Sequence, residues 1–209
     1  MSEDKFYISD THFWHDNILT FDNRPYEDCM EMAVDMKRRW NEHVPTSAHV
    51  YILGDVTWKW GDYVKKYIQS LNGNKHLILG NHDKWNAADF KKLFVEIVPY
   101  KKMKDTLNGK PVQLILSHYY MPFYEGHYHN YIHLHGHSHV TGESDAERKI
   151  TEYLLERGYP EIIYNVGCMY PYMDYTPRTL EEITDRYSKW KVFRSFREKY
   201  GDSLNESDD

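Results

Sequence analysis

The chain has 209 residues, of which 41% are hydrophobic and 28% are charged, and it carries a formal net charge of -6. Four acidic residues and no basic residue lie in residues 201–209, so the rest of the chain is close to neutral. A near-neutral body argues against a module dedicated to long nucleic acids, which bind through Lys and Arg contacts to phosphate. We predict a single domain over residues 1–200, followed by an acidic disordered tail at 201–209.

The two cysteines and the first residues exclude further classes of protein. Cys29 and Cys168 lie far apart and form no CxxC pair, so the sequence indicates neither a thiolate zinc site nor a disulfide framework. The sequence contains no run of about 18 apolar residues, so no membrane span is predicted. Residues 1–10 do not have the basic and apolar regions of a secretory signal. We therefore expect a cytoplasmic protein without a membrane partner.

Short apolar runs alternate with stretches of helical periodicity along the chain. The runs predict strands at residues 6–8, 50–53, 76–79, 112–116, 131–134 and 162–166. Helices are predicted at residues 27–43, 61–71 and 144–157, and a last one after Thr179, whose spacing to Glu182 is that of a capping box. Asn108-Gly109 predicts a hairpin turn. This alternation indicates a layered α/β domain.

Polar side chains follow five of the predicted strands at the point where each strand ends. The groups are, in chain order, Asp10 and His12, Gly54-Asp55, Gly80-Asn81-His82-Asp83, His118, and the histidine segment 133–139. Because ligand sites gather at strand ends in layered α/β folds, we expect these groups to share one site. Carboxylate, amide and imidazole donors without sulfur suit Mn²⁺, Fe, Zn²⁺ or Co²⁺. Asp55 has two carboxylate oxygens with which to bridge two such ions.

The order of these groups resembles the motif order of the calcineurin-like metallophosphoesterase superfamily. The family blocks DxH, GD, GNH(D/E), H and GHxH are matched by residues 10–12, 54–55, 80–83, 118 and 136–139. Each block alone is weak, but five in order make the resemblance specific. It implies a four-layer α-β-β-α sandwich of two mixed β-sheets flanked by helices, of the small prokaryotic type, with the site at the strand C-termini.

The resemblance also implies the metal ligands and the reaction. It implies a first set of ligands for one metal, formed by Asp10, His12 and His139. A second set for the other metal would be Asn81, His118 and His137, and Asp55 would bridge the two metals. Mn²⁺ is the first expectation for both ions, with Fe, Zn²⁺, Co²⁺ and Mg²⁺ as alternatives. The implied activity is hydrolysis of a phosphodiester or phosphomonoester by in-line attack of a hydroxide that bridges the metals. His82 would be the catalytic residue that protonates the leaving oxygen or stabilises the transition state.

One position departs from the pattern of the protein phosphatases in this superfamily. They place an aspartate three residues after the GD carboxylate, where it orients the catalytic histidine, and here that position is Trp58. The partner that orients His82 is therefore open, with Asp83 a candidate by adjacency only. The departure also argues against a protein phosphatase.

The roles of several other polar residues stay open at this level. Arg24 is either a group that grips a substrate phosphate with its planar fork or a solvated loop arginine. His133 and His135 lie on a strand, which favours structural or orienting roles over metal ligation. The aromatic segment 119–131 either packs over the sheets or stacks on a base or aryl group.

We expect the partner to be a small phosphorylated substrate, with nucleotide-like molecules among the candidates. The alternatives that remain are a non-catalytic metal-binding scaffold on the same fold, a plain metal-storage module and a nuclease. The substrate, the ester class, the physiological metal and the oligomeric state are not determined by the sequence, because the loops of this scaffold decide them.

Overall fold

The computed structural model describes residues 4–83 and 88–200, so the predicted acidic tail at 201–209 lies outside the described residues. The strands are β1 (Lys5–Ile8), β2 (His49–Ile52), β3 (Asn74–Ile78), β4 (Glu96–Val98), β5 (Tyr100–Leu107), β6 (Lys110–Ser117), β7 (Ile132–His135) and β8 (Ile163–Asn165). The helices are α1 (Asp16–Phe21), α2 (Cys29–His43), α3 (Asp62–Gln69), α4 (Ala88–Lys91), α5 (Gly142–Glu156) and α6 (Leu180–Tyr200), with a 3₁₀ turn at His127–His129.

Eight strands form two four-stranded sheets. The first has the order β1-β2-β3-β4 and is parallel throughout these strands, and an isolated antiparallel bridge joins Tyr7 of β1 to Arg178. The second has the order β5-β6-β7-β8, with β5 antiparallel to β6 and the other pairs parallel. Two sheets with flanking helices confirm the predicted α/β class and architecture. In the described ranges, no helix is long and apolar enough to cross a bilayer.

Apolar side chains on both sheets and on the helices form one continuous core. Strand residues such as Ile8, Ile52 and Leu134 are almost fully buried, as expected of strands covered on both faces. Helix α2 places Met36 and Trp40 on its buried side, at the spacing that puts residues on one face of a helix. The core thereby holds both sheets and α2 in fixed relation to the loops at the strand ends.

Local sequence signals account for most of the element boundaries. The predicted helix at 27–43 begins at Cys29 because the Asp28 side chain accepts hydrogen bonds from two first-turn N–H groups. The predicted capping box is confirmed, since Thr179 and Glu182 exchange side-chain to backbone hydrogen bonds before α6. Asn108 and Gly109 both have positive φ, as a two-residue hairpin turn between β5 and β6 requires.

Strand β5 is implied in the prediction only by the hairpin turn at Asn108-Gly109, and three shorter elements have no counterpart there: α1, α4 and β4. Each has six residues or fewer. A segment of this length spans less than two helical turns or only a few strand positions, so hydrophobic periodicity has too few residues to reveal it. Of the three, α1 matters for the site, because it follows the first polar group and leads directly to Asp22 and Arg24.

Candidate metal centre

The loops that follow the strands of both sheets are tied together by backbone hydrogen bonds. Asp10 N donates to the Gly54 carbonyl, and His12 N donates to the Asp55 carbonyl, which links the ends of β1 and β2. Gly136 N donates to the His118 carbonyl, which links the ends of β6 and β7. These bonds join the first predicted polar group to the second and the fourth to the fifth, and His82 N joins the third group to the second by donating to Asp55 Oδ1.

Three glycines allow the loops to approach this closely. A Cβ atom added at Gly54 would collide with His118 Nδ1, and one at Gly80 would collide with the Asp55 carboxylate. A Cβ at Gly136 would collide with Ser9 Oγ and Asp10 Oδ2. The glycines are therefore required by the packing of site residues against backbone, rather than by turn geometry alone.

Left-handed backbone conformations are concentrated at the predicted ligands. Asp10, His12, Asp55, His137 and His139 have φ values between 47° and 72°. Non-glycine residues adopt this region rarely, at a cost of roughly 1–3 kcal/mol each, and usually where the surrounding structure enforces it for function. Five such residues in one site indicate that the fold accepts unfavourable backbone conformations there, because these conformations place the side chains at the site.

The first predicted ligand set, Asp10, His12 and His139, lies together in the structure. One donor atom from each of the three lies within 4.8 Å of the others, and all three residues are buried. His12 Nε2 and His139 Nε2 are 3.3 Å apart, and His139 Nε2 is 3.7 Å from Asp10 Oδ1. Asp10 and His12 follow the first sheet and His139 follows the second.

The second predicted set is centred on the Asn81 amide oxygen. Asn81 Oδ1 lies 3.0 Å from His118 Nε2 and 3.1 Å from His137 Nδ1. Asp55 lies between the two sets, because its Oδ2 atom is 3.5 Å from His12 Nε2 and 3.6 Å from His118 Nε2. All seven predicted ligands are thus brought together, with Asp55 in the position expected of a bridge.

The two candidate ligand carboxylates, Asp55 and Asp10, each have one oxygen held by a backbone N–H and the other turned toward imidazoles. Asp55 Oδ1 accepts a hydrogen bond from His82 N at 2.9 Å, which leaves Oδ2 facing the histidines. Asp10 Oδ2 accepts from His137 N at 3.0 Å. Asp10 Oδ1, which faces His139 Nε2, is buried and has no hydrogen-bond partner among the described residues. An unpaired, buried carboxylate oxygen is expected where a cation binds.

The electrostatics of the site also fit a bound cation. Burial raises the pKa of the Asp10 carboxyl and lowers the pKa of His12 well below its usual value. Buried carboxylates without a positive partner are destabilised, whereas a divalent cation would favour their ionised form and the neutral form of the imidazoles. The oxygen and nitrogen donor set, without a thiolate, suits Mn²⁺, Fe, Zn²⁺ or Co²⁺. The residues therefore fit divalent metal ions.

Two of the histidines are oriented by hydrogen bonds from their other ring nitrogen. His118 Nδ1 donates to the Leu53 carbonyl at 2.7 Å, so that Nε2 faces Asp55 and Asn81. His139 Nδ1 donates to the Asp22 carboxylate at 2.8 Å, so that Nε2 faces the first set. Partners of this kind fix the tautomer of a metal ligand and increase its basicity. The sequence interpretation missed Asp22, because it belongs to none of the five motif blocks.

Arg24 holds Asp22 and the first loop in place instead of facing the site. Its buried guanidinium forms a 2.7 Å ion pair with Asp22 and donates to the carbonyls of Asp10 and Thr11. Further contacts to Asp22 and to Met32 Sδ engage the remaining N–H groups. Both alternatives for Arg24 are therefore wrong, because no N–H group is left for a substrate phosphate and the side chain is buried rather than solvated.

His82 is the most accessible histidine of the proposed set. Its side chain is 37% exposed, and its Nε2 lies 3.9 Å from Asp55 Oδ2. Asp83, the adjacent candidate for orienting it, uses both carboxylate oxygens on the backbone N–H groups of Gly80, Asp55 and Val56. Asp83 therefore fixes the loop after β2 to the loop after β3 instead of orienting His82. Trp58, which belongs to neither ligand set, contacts the His82 ring.

His133 and His135 are buried on β7 and have structural contacts. His133 Nδ1 donates to the Ile115 carbonyl, and its Nε2 accepts from Met121 N. Burial lowers the pKa of His133 to about 4, so it remains neutral. His135 Nδ1 donates to the Gly136 carbonyl, and the two rings stack at 5.4 Å. These contacts agree with the structural role favoured from their place on a strand.

We expect Asp22→Asn to weaken metal binding by about 10- to 100-fold, the usual effect of losing a carboxylate that orients a ligand histidine. The reason is that a neutral amide supports the His139 tautomer less strongly than a carboxylate does. Metal titration of the stripped variant measures the loss, and its unfolding temperature shows how much stability is lost with the ion pair to Arg24. Unchanged metal affinity in a folded variant would exclude this role for Asp22.

Comparison with known proteins agrees with the geometry. The sequence profile of calcineurin-like phosphoesterases matches residues 6–195. The chain therefore belongs to the calcineurin-like phosphoesterase family. This confirms the family predicted from the order of the motif blocks.

Two relatives share parts of the sequence or the fold. An uncharacterised protein of Methanocaldococcus jannaschii is 41% identical over 88 residues, which are 41% of this chain and 50% of that protein. The match thus spans half the length of that relative. A protein of unknown function from Aquifex aeolicus, known from a crystal structure, aligns with a TM-score of 0.65 and 26% identity, over 88% of this chain and 99% of that one. These relatives support the fold and leave the substrate open.

Proposed function

We propose that the protein is a phosphoesterase that uses two divalent metal ions to hydrolyse a phosphodiester or phosphomonoester. The observation that carries the proposal is the position of Asp55 Oδ2, within 3.6 Å of a histidine from each ligand set. A carboxylate oxygen between two groups of nitrogen and oxygen donors is the arrangement that a pair of metals requires. Asp10, His12 and His139 would hold one ion, and Asn81, His118 and His137 the other.

Two bound cations would supply a nucleophile at neutral pH by lowering the pKa of water, and would neutralise phosphoryl oxygens during in-line displacement. The nucleophilic side chains beside the site are engaged elsewhere, which favours water as the attacking group. Ser9 Oγ donates to the Leu53 carbonyl, Ser138 Oγ to Glu147, and Cys168 Sγ to the Asp10 carbonyl. All three residues are buried.

His82 has the position of a general acid in this proposal. Its ring lies beside Asp55, with Nε2 3.9 Å from the carboxylate, and its exposed side chain faces the solvent side of the site. An imidazole in this position can act as a general acid and give a proton to a departing alkoxide. The backbone of His82 has a separate task, because its N–H holds Asp55 Oδ1.

We further propose Mn²⁺ as the physiological metal, a small substrate such as a nucleotide-like phosphoester, and a cytoplasmic location. A near-neutral chain body supports a small substrate over long nucleic acid, whose binding depends on many basic contacts. Arg24 does not supply such a contact, because its guanidinium is fully engaged within the protein.

We expect metal-stripped protein to hydrolyse an aryl phosphodiester or the matching monoester only after two equivalents of Mn²⁺ are restored. The reason is that the proposed nucleophile forms only with both sets filled. Turnover of each ester is measured against bound metal, determined by elemental analysis of the same sample. Two bound metals without turnover of any ester would favour the non-catalytic scaffold, and turnover by the stripped protein would contradict the metal-dependent mechanism.

A further inference from the structure

Three exposed aromatic rings surround the metal centre. Trp58 lies 4.8 Å from His82, Tyr119 lies 4.6 Å from His137, and Phe21 lies 5.5 Å from His139, measured between ring centroids. Their relative exposures are 45%, 48% and 61%. An apolar ring left in water gives up the stabilisation of burial, roughly 25 cal/mol per Å² of apolar surface. Exposed aromatic rings on three sides of one site therefore indicate a binding surface.

The backbone at Trp58 is held to the loop that carries His12. Its N–H donates to the Phe13 carbonyl at 3.0 Å, and the preceding Thr57 hydroxyl donates to the same carbonyl. Thr57 and Phe13 also form a parallel bridge. The loop that carries Trp58 is thus joined to the loop that carries His12, and the ring is fixed relative to the metal centre.

Within residues 4–83 and 88–200, the ring that stacks on the indole of Trp58 is His15. The indole lies parallel to the His15 ring, with centroids 4.1 Å apart and an interplanar angle of 7°. With 45% of the residue exposed, the indole retains surface for a second planar group. The charge next to it in the chain is paired, since Lys59 Nζ lies 2.9 Å from an Asp16 oxygen. The exposed surface of the indole therefore suits a flat group that stacks on it.

We propose that Trp58 binds a planar aromatic group of the substrate by stacking, so that the site prefers phosphoesters of nucleosides or aryl alcohols. This inference rests on the proposed phosphoesterase function, because it places the ring on the side of His82 where the leaving group departs. In biological phosphoesters, a nucleobase is a planar aromatic group of this kind. Stacking of one base on an aromatic side chain strengthens binding by about 5- to 150-fold.

Ligand preference separates this role from a purely positional one. If Trp58 only positioned His82, its removal would slow turnover of all esters equally and would leave binding of phosphorylated ligands unchanged. If it stacks on the substrate, its removal lowers the affinity for ligands with a planar ring and not for those without one. The comparison must therefore use ligand pairs that differ in the ring alone.

The experiment measures binding by calorimetry to the Mn²⁺-loaded protein, using phosphonates that cannot be hydrolysed. One pair is the phosphonate analogue of AMP and that of ribose 5-phosphate, and a second pair is phenylphosphonate and methylphosphonate. We expect the wild-type protein to prefer the ring-bearing member by at least about 5-fold. Trp58→Leu should remove this preference, and Trp58→Phe should retain most of it. Phe193→Leu, at an exposed ring on α6, is the matched control.

The two pairs identify the source of the ring. A preference in the AMP pair, dependent on Trp58, assigns a nucleobase, and one restricted to the phenyl pair assigns an aryl group next to the phosphorus. Equal binding within both pairs, or a preference that survives Trp58→Leu, overturns the proposal. Because binding is measured without turnover, a Trp58-dependent preference in a protein that hydrolyses no ester would refute the proposed function alone.

Discussion

Asp55→Asn should reduce the affinity for both metals by at least about 100-fold. Loss of a residue that only orients a ligand already costs up to about 100-fold in metal affinity, and Asp55 is proposed as a ligand itself. The asparagine can still offer one oxygen to His82 N, but it must then turn its NH₂ group toward His12 and His118. A donor in that position repels a cation and cannot bridge. Equilibrium dialysis of the stripped variant with Mn²⁺, followed by elemental analysis, measures the loss for each equivalent.

Asp62→Asn provides the matched control, because the Asp62 side chain is 88% exposed on α3. It changes the net charge by the same amount and should leave metal content unaltered. The hydrolytic rate of Asp55→Asn should fall with its metal content. If the variant binds two metals as tightly as the wild-type protein does, Asp55 is not the bridge and the assignment of both sets must be revised.

His82→Ala should lower the hydrolytic rate by about 10²- to 10⁴-fold while leaving two metals bound, the range for a lost proton-transfer group. Alanine keeps the backbone N–H that holds Asp55 Oδ1, so the bridge should stay in place. The loss should be larger for an alkyl ester, which needs a proton on its leaving oxygen, than for a nitrophenyl ester. Steady-state kinetics with both esters, alongside elemental analysis, measures this difference.

His129→Ala is the corresponding control, since His129 is exposed and belongs to the 3₁₀ turn rather than to the site. It should retain the full rate. Loss of a metal from His82→Ala would make His82 a ligand instead of an acid. An equal rate loss for both esters would indicate that His82 stabilises the transition state rather than protonating the leaving group.

The part of the site that depends on local order along the chain can be predicted from the sequence. Each ligand follows a strand within a few residues, so the strand pattern alone places Asp10, Asp55, Asn81 and His118 at strand ends. The parallel arrangement of β1, β2 and β3 then requires the first three of these ends to share an edge, whereas His118 follows a strand of the other sheet. The strand boundaries hold because buried strands produce continuous apolar runs that end in polar residues.

The roles that depend on distant contacts could not be predicted in this way. Asp22 and Arg24 look like loop residues in the sequence. In the structure, Asp22 accepts a hydrogen bond from His139, which lies 117 positions later, and Arg24 donates to the carbonyls of the loop after β1. Similarly, Asp83 lies next to His82 in the chain but its carboxylate binds backbone N–H groups of other loops. The side chains of two adjacent residues can point in different directions where the backbone turns sharply between them.

The division of each ligand set between the two sheets links metal binding to the cooperativity of folding. A cation held by Asp10, His12 and His139 joins the end of β1 to the end of β7, so it binds only when the two halves of the chain are docked. Each ion present at 100 times its dissociation constant would then add about 2.7 kcal/mol to the free energy of unfolding. Removal of both ions would allow the halves to separate at lower denaturant concentration, and metal supply would then help to set the lifetime of the folded protein.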